Sequence, residues 1–296
     1  MNPAPCAVVC LNRGSKILCS GPFVKAVYSS MKALTLLLVL PLAGQPSAIQ
    51  QTTPIQSDNS QPARDTQALA ILNQTISAAG GVASLSAIQD FSGSGTITYY
   101  WDSAVSGSAT VQGRGPGQFR IDATLQDGLR TVIVSNGTGS ITETDGSVRS
   151  LPFQVAVNLG SMTFPYTTLI AALRDTSVQI TYGGLVDRGG SQFHDIKVQK
   201  IYSPSVDPTG SQSALSARDF FVDPNTFLVA SVLNIAGQDA DGNNISREVV
   251  FANYQTVGGV AVPFQITERI HDQSMVNVQL TQMTFNTGLT DSNFTK

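Results

Sequence analysis

From Phe91 onwards, apolar and polar residues alternate in short runs, and this alternation restricts the possible folds more than any other feature of the chain. A period of two places successive side chains on opposite faces of a β-strand, and the glycine, asparagine and aspartate residues between the runs are typical of turns. The short turns predict mainly antiparallel strands that pair in chain order. The runs are GTITYYW, SATVQGRG, QFRIDATL, LRTVIVSN, GSITETDGSVRS, VQITYGG, FHDIKVQKIY, RDFFVDPNTFLVASVLNIA, SREVVFANYQTV, VAVPFQITERI and MVNVQLTQMTF.

Helical spacing occurs in the residues before this pattern and once within it. Residues 65–81, DTQALAILNQTISAAGG, carry leucine and isoleucine on one face. Asp65 or Thr66 can cap this helix, and two glycines end it. Residues 164–177, FPYTTLIAALRDTS, form a second apolar face, and VASLSAIQDF at residues 82–91 adds a short turn of helix. The sequence therefore predicts an α+β, mainly β fold. We expect a curved antiparallel sheet or incomplete β-barrel of about eleven strands, covered by two or three helices.

Residues 31–48, MKALTLLLVLPLAGQPSA, have the composition of a secretory signal peptide. A lysine precedes an apolar stretch at residues 33–42, and small residues follow up to Ala48. About ten apolar residues at ~1.5 Å each cover roughly 15 Å, half of a ~30 Å bilayer core, so no permanent membrane span is expected. We expect Met31 to be the true start, with residues 1–30 as the alternative long basic leader. Cleavage near Ala48 then releases a soluble periplasmic or secreted protein.

The sequence predicts three parts: a leader and signal peptide at 1–48, a disordered polar linker at 49–64, and a single β domain at 65–296. The linker is rich in Gln, Ser, Thr and Pro, with little to bury. All three cysteines precede Met31, so the exported part depends on its apolar core rather than on disulfides. LPLAGQ at 40–45 resembles a lipoprotein cleavage box, but Gln45 stands where the lipid-bearing cysteine is required.

The charge of the exported part disfavours some classes of partner. Residues 1–48 hold four of the 17 basic residues and none of the 20 acidic ones, which leaves 13 basic against 20 acidic residues and a net charge of −7. A mildly acidic surface argues against nucleic acid and anionic lipid headgroups as partners.

Candidate catalytic and metal-binding motifs are weak. His194 and His271 each precede an aspartate, but adjacent strand residues point to opposite faces, so neither pair forms an acid–base couple. The exported sequence has no G-x-S-x-G elbow and no cysteine nucleophile. DADGNN at 239–244 resembles a calcium loop, but its glycine comes at the fourth position and Glu248 comes early, which favours a hairpin turn. We predict no catalytic residue, no metal and no cofactor.

Two segments of the C-terminal half carry a specific pattern of turns and strand ends. It is D-P-x-T-x-L followed by Y-x-x-V-x-G-V-x-V-P-x-x-I, and FSGSGTI and FRID follow the first helix. This pattern resembles that of the periplasmic LolA/LolB lipoprotein carriers. The resemblance implies an unclosed β-barrel with helices as a lid over an apolar cavity that carries acyl chains. The matching residues are Asp223, Pro224, Thr226, Leu228, Tyr254, Val257, Gly259, Val260, Pro263 and Ile266.

Inward-facing apolar residues would line such a cavity, although each is ordinary core unless space is left beside it. Arg120, in QFRID, is the candidate for the lid-locking arginine that the carriers use; a surface charge on the strand is the alternative. The candidate ligand-binding residues are Ile97, Tyr99, Trp101, Phe119, Ile121, Val132 and Val134 on strands, and Phe164, Tyr166, Leu169 and Leu173 on the helical lid.

Three functions agree with the sequence. The first is a periplasmic carrier whose partner is a lipid or an acylated lipoprotein. The second is a non-catalytic scaffold of the same fold that binds envelope proteins. The third is a secreted hydrolase with paired carboxylates, which a motif search does not detect.

The expected export gives the first prediction. N-terminal sequencing of the exported protein should find a mature start close to residue 49, because signal peptidase cuts after small residues such as Ala48. A mature start before Met31 would contradict the prediction.

Overall fold

The structure is a computed structural model that describes residues 61–159, 164–238 and 241–295. The predicted leader, the signal peptide and residues 49–60 of the predicted linker lie outside the described residues. At the end of that linker, Arg64 forms a parallel bridge with Ile180, and the Asp65 backbone N–H donates to the Ile180 carbonyl at 2.8 Å. The chain is therefore attached to the sheet directly before its first helix.

Thirteen antiparallel strands form one sheet in the described part of the chain, in the order β6-β5-β4-β3-β2-β1-β13-β12-β11-β10-β9-β8-β7. Strands that are consecutive in the chain pair with each other, except β6 and β7, and β1 also pairs with β13, which joins the two halves. Strands β6 and β7 are the edges, so the curved sheet is unclosed, and the predicted fold class is confirmed. The strands are β1 Asp90–Tyr100, β2 Ala104–Arg114, β3 Gln118–Leu125, β4 Gly128–Ser135, β5 Thr138–Thr142, β6 Val148–Ser150, β7 Val178–Arg188, β8 Ser191–Lys200, β9 Arg218–Val222, β10 Val229–Gln238, β11 Asn244–Val257, β12 Val260–Ile270 and β13 Gln273–Phe285.

The strand count exceeds the expected eleven because two of the predicted runs each contain a turn. GSITETDGSVRS divides into β5 and β6, where Asp145 Oδ1 accepts a hydrogen bond from the Ser147 backbone at 2.8 Å. The DPNTFL run divides into β9 and β10, where Asp223 Oδ1 accepts from the backbone N–H groups of Asn225 and Thr226, both at 2.8 Å. Carboxylates that accept from the backbone two or three residues ahead are typical of turns.

The helices are more numerous than the two or three expected, because α3 and α5 have only seven and five residues. Segments of fewer than two turns show too little periodicity to be recognised in a sequence. The Asp65 carboxylate caps α1 as predicted and accepts from the Ala68 N–H at 2.9 Å. The helices are α1 Thr66–Ala78, α2 Gly81–Ser86, α3 Phe153–Leu159, α4 Pro165–Arg174 and α5 Ser211–Leu215, and a 3₁₀ helix follows at Asp291–Phe294.

One face of the sheet, here called the inner face, packs against the helices and forms the core. Ile71, Leu72 and Ile76 of α1 are buried, and so is one side of α4. At one end of this core, the Phe164 ring meets the rings of Phe91 and Phe285 at centroid distances of 5.9 and 5.7 Å. Within the described residues, no helix is long and apolar enough to cross a membrane.

The pairing of β1 with β13 gives the second prediction. A bulge falls between Ser94 and Gly95, and a methyl group on Gly95 would collide with the Gln279 carbonyl oxygen and approach the Leu280 Cα to 2.7 Å. Gly95→Ala should therefore lower the free energy of unfolding by about 1–3 kcal/mol, since backbone atoms on both strands have to shift.

Gly237→Ala is the matched control, because Gly237 lies at a bulge of β10 with no atom within 4 Å of the added methyl group. It should change stability by less than about 0.5 kcal/mol. Urea denaturation followed by circular dichroism measures both variants, and equal losses of stability would contradict the close approach at Gly95.

Candidate functional site

A pocket of about 490 Å³ lies between α3 and the inner face of the sheet. Its volume falls within the roughly 300–1,000 Å³ typical of small-molecule sites. Trp101, whose exposed fraction is 49%, and Arg149 mark its solvent side. The lining residues are Tyr99, Trp101, Phe119, Ile121, Arg130, Val132, Ile141, Arg149, Leu151, Pro152, Val155, Leu159, Glu268, Ile270, Met275 and Val276.

Five of the eleven candidate cavity residues lie together in the wall of this pocket. Four come from β1, β3 and β4, where the alternation of strand residues places them on the inner face, and Trp101 directly follows β1. Tyr99 and Trp101 lie against each other with stacked rings at a centroid distance of 4.9 Å. The five residues are Tyr99, Trp101, Phe119, Ile121 and Val132.

The other six candidates do not line the pocket. Five are fully buried, and Leu173 packs against the core with part of its surface exposed. Helix α4 lies directly on the sheet and fills the space that the predicted lid was expected to leave open. The structure therefore places these residues in the core rather than in a cavity wall. The five buried residues are Ile97, Val134, Phe164, Tyr166 and Leu169.

The sequence analysis missed one whole wall of the pocket. Helix α3, together with Leu151 and Pro152 before it, covers the side opposite the sheet. Val155 and Leu159 are four residues apart, so they share a face of the helix and both line the pocket. Their spacing was the only available signal, and it extends over a single turn.

Arg130, which lines the pocket, links the aromatic pair to Glu143 beside it. Its guanidinium donates to Glu143 Oε2 at 2.8 Å and to the Tyr99 hydroxyl at 3.0 Å, and it lies over the Tyr99 ring, 4.7 Å from the centroid. Burial raises the pKa of the Tyr99 hydroxyl, and the positive charge of Arg130 opposes that rise only in part. Tyr99 therefore stays neutral and acts as a hydrogen-bond acceptor.

Glu143 is shared by two arginines, because Arg149 Nε donates to its other carboxylate oxygen at 3.0 Å. Burial pushes the pKa of Glu143 upward, but hydrogen bonds from Arg130 and Arg149 outweigh this effect and hold it below its ordinary value. A carboxylate that stays ionised at neutral pH cannot serve as a general acid.

A second arginine group lies deeper, where α3 meets strands β9 to β12. Arg247 Nε donates to Glu268 Oε1 at 2.5 Å, and exposure of the Arg247 side chain is only 4%. Arg218 donates to Asn158 Oδ1 at 3.1 Å and to the Val157 carbonyl at 2.9 Å, so it attaches α3 to β9. Burial, and then the positive charge of Arg247, lowers the pKa of Arg218 to about 10.

Arg120, the candidate lid lock, lies on the outer face. Its guanidinium forms two hydrogen bonds with Asp122, at 2.7 and 3.1 Å, and donates to the Asn293 carbonyl at 3.1 Å. These contacts hold the C-terminal 3₁₀ helix rather than the helices of the inner face. The neighbouring Phe119 and Ile121 point inward, so Arg120 points outward.

A different arginine, Arg64, holds α4. Its guanidinium donates to the carbonyl groups of Ala172, Leu173 and Asp175 at 3.3, 3.2 and 3.0 Å. Cations at a helix C-terminus satisfy free carbonyl groups and interact favourably with the helix dipole. Arg64 thus fixes α4 onto the filled part of the core.

The two histidines have ordinary hydrogen bonds. His194 Nδ1 lies 2.9 Å from the Tyr182 hydroxyl, and His271 Nε2 lies 3.3 Å from the Asn244 carbonyl oxygen. No group of three His, Cys, Asp or Glu side chains that could hold a metal ion occurs among the residues that the structure describes.

This chain is similar in fold to several proteins of known structure. No protein-family model matches the sequence, and no curated protein matches it. A LolA-superfamily protein from Nitrosomonas europaea matches with a TM-score of 0.47 and 11% identity, over 77% of this chain and 97% of that one. A structure described as an outer-membrane lipoprotein-sorting protein domain from Vibrio parahaemolyticus gives 0.46 and 10%, over 76% and 95%. A DUF1329 family protein from Desulfovibrio piger gives 0.46 and 12%, over 80% and 98%.

The chain is similar to LolA-superfamily structures. This agrees with the resemblance found in its sequence. At 10–12% identity and TM-scores below 0.5, however, the matches say nothing about the ligand. The function has to be argued from the residues of this pocket.

The division between filled core and open pocket gives the third prediction. Leu169 in α4 is fully buried, whereas Leu151 borders the pocket. Leu169→Ala should lower the free energy of unfolding by about 2–5 kcal/mol, because it opens a new cavity. Leu151→Ala should cost only about 1 kcal/mol, since its side chain already borders empty space. Denaturant titration measures both, and similar losses would show that the pocket is packed in solution.

Proposed function

We propose that this protein is an exported, non-catalytic carrier that binds a lipid or a lipoprotein acyl chain in the pocket under α3. The observation that carries the proposal is an apolar pocket of about 490 Å³ in the wall of a curved, unclosed sheet. Export follows from the predicted signal peptide, which places the protein in the periplasm or outside the cell.

The free energy of binding would come from the acyl chain. Each buried methylene contributes ~0.8 kcal/mol, so a twelve-carbon chain is worth roughly 10 kcal/mol before the costs of binding are subtracted. Apolar strand residues such as Ile121, Val132 and Ile141 supply one wall, and α3 supplies the other. The half-exposed Trp101 leaves the solvent side incompletely covered, which favours release as well as uptake.

Helix α3 is the proposed cover of the pocket. It packs against β4 and β5 on one side of the curved sheet and against β10 on the other. Among the described residues, Arg218 donates two hydrogen bonds to α3, and Asn158 of α3 donates one to the Leu215 carbonyl at 3.3 Å. A cover of seven residues with this attachment can move without disturbing α1 and α4, which belong to the filled core.

The alternative is an envelope scaffold that binds other proteins along an open sheet edge. Among the described residues, edge strand β7 pairs with the incoming chain near Ile180, and Leu185 further along is 52% exposed. Such edges accept an additional strand from a partner. This alternative gives the apolar pocket no role, so we place it second. A hydrolase is third, because Glu268 in the pocket wall and Glu143 next to the pocket are both paired with arginines.

Extraction of bound lipid tests the carrier proposal and is the fourth prediction. Purified exported protein, extracted with organic solvent and analysed by mass spectrometry, should release acyl lipid in near-stoichiometric amount. Val155→Phe places a larger side chain in the pocket and should reduce the bound lipid several-fold, because it removes part of the space for the chain.

Val82→Phe is the matched control, since Val82 lies on α2 with 53% of its surface exposed. This variant should retain the lipid content of the unmodified protein. A wild-type protein that carries no lipid, and takes up none when offered, favours the scaffold. Unchanged lipid content in Val155→Phe would place the ligand outside this pocket.

A further inference from the structure

We propose that the ligand of this pocket carries an anionic group, a carboxylate or a phosphate, and that the row of Arg218 and Arg247, which adjoins the pocket wall at Glu268 and Ile270, binds it. This inference rests on the proposed function and names the class of ligand. It goes against the net charge of the exported chain, which is −7.

The strand register brings the two arginines into one row across the inner face. Arg247 of β11 pairs with Asn234 of β10, and Leu233 pairs with Asp219, so Arg218 falls beside Asn234. On its other side Arg247 pairs with Ile270, which lines the pocket. The row therefore runs from β9 to the pocket wall.

The positive charge in this row is not balanced. Glu268 is the one carboxylate paired with Arg247, and Arg218 forms no ion pair with any described residue. The depressed pKa of Arg218, caused by burial and by Arg247, reflects the same excess. Arg247 is buried and Arg218 is half-buried, and two such guanidinium groups beside one carboxylate are costly unless another anion is present.

One donor of the row has no partner. Arg247 Nη2 is buried and forms no hydrogen bond with any described residue, although the Arg247 side chain is only 4% exposed. An unsatisfied N–H of a charged group loses several kcal/mol of hydration without compensation. A ligand carboxylate or phosphate oxygen placed here would satisfy this donor and offset the charge at once.

The solvent side of the pocket also has more positive than negative side chains. Arg130 and Arg149 share the single carboxylate of Glu143. The pocket and its surroundings therefore hold four guanidinium groups, of residues 130, 149, 218 and 247, against two carboxylates. A cleft with an excess of one sign concentrates ligands of the opposite sign.

Ligands with one chain and different headgroups test the inference, and this is the fifth prediction. Dodecyl phosphate, dodecanol and dodecylammonium should be titrated into lipid-free protein, with the fluorescence of Trp101 and calorimetry as readouts. The protein has a single tryptophan, and that residue lines the pocket. Dodecyl phosphate should bind roughly tenfold tighter than dodecanol or more, and dodecylammonium should bind weakest.

Substitutions test whether the row of Arg218 and Arg247 causes the preference for dodecyl phosphate. Because Arg218 also holds α3, the preference is measured in each variant as the ratio of the dodecyl phosphate and dodecanol affinities. Arg218→Met should bring this ratio most of the way to one, and Arg218→Lys should keep an intermediate ratio. Arg188→Met is the control. Arg188 lies over the Phe221 ring and pairs with Glu248, but it lines a separate pocket. It should leave the preference unchanged.

The outcomes separate this inference from the proposed function. If dodecanol and dodecyl phosphate bind equally well, the anionic site is wrong and the carrier function stands. If none of the three probes binds, the carrier function fails and the inference fails with it. If inorganic phosphate alone binds as tightly as dodecyl phosphate, the row is a free-anion site and the assignment to a lipid ligand is overturned.

Discussion

The pairing of the first strand with the last is the constraint on which the rest of the structure depends. Phe91 in β1 lies opposite Phe285 in β13, and this ladder turns two sequential antiparallel halves into one continuous sheet. The Asp90 carboxylate secures the junction, because it accepts hydrogen bonds from Thr287, Gly288 and Leu289. Burial opposes ionisation, yet these hydrogen bonds hold the pKa of Asp90 below its usual value. Without this ladder neither the curved inner face nor the pocket would exist.

The pocket exists because the helices cover the inner face unequally. Helices α1, α2 and α4 pack directly on the sheet, and the rings around Phe164 fill the space beneath them. Over the remaining strands the cover is α3, which is too short to fill the curve. Filled core and pocket are therefore two consequences of one uneven layer. This explains why residues with the same alternation, Ile97 and Tyr99, end in different environments.

The sequence predicted the face on which each strand residue lies, but not whether space is left beside it. Alternation placed Tyr99, Phe119 and Val132 inward correctly, and it could also have excluded Arg120, which lies between two inward residues. The spacing in α4 identified a buried helical face, yet spacing does not distinguish a lid from a filled core. The pocket wall formed by α3 extends over less than two turns of helix, which is too short to be recognised in the sequence. The residues of β12 and β13 that line the same pocket come from distant parts of the chain.

The net charge of the sequence and the charge beside the pocket describe different regions of the molecule. Residues 49–296 have a net charge of −7, which describes mainly the surface and argues against anionic partners there. The strand register, however, gathers Arg218 and Arg247 on the inner face, where burial strengthens every charge interaction. The charge near these two arginines is balanced only in part by the carboxylate of Glu268 beside them, and the other acidic residues of the sequence have little effect there. A carrier with an acidic exterior would repel anionic surfaces. It would still retain one anionic ligand beside its pocket, because only a ligand whose acyl chain is inserted in the pocket reaches Arg218 and Arg247.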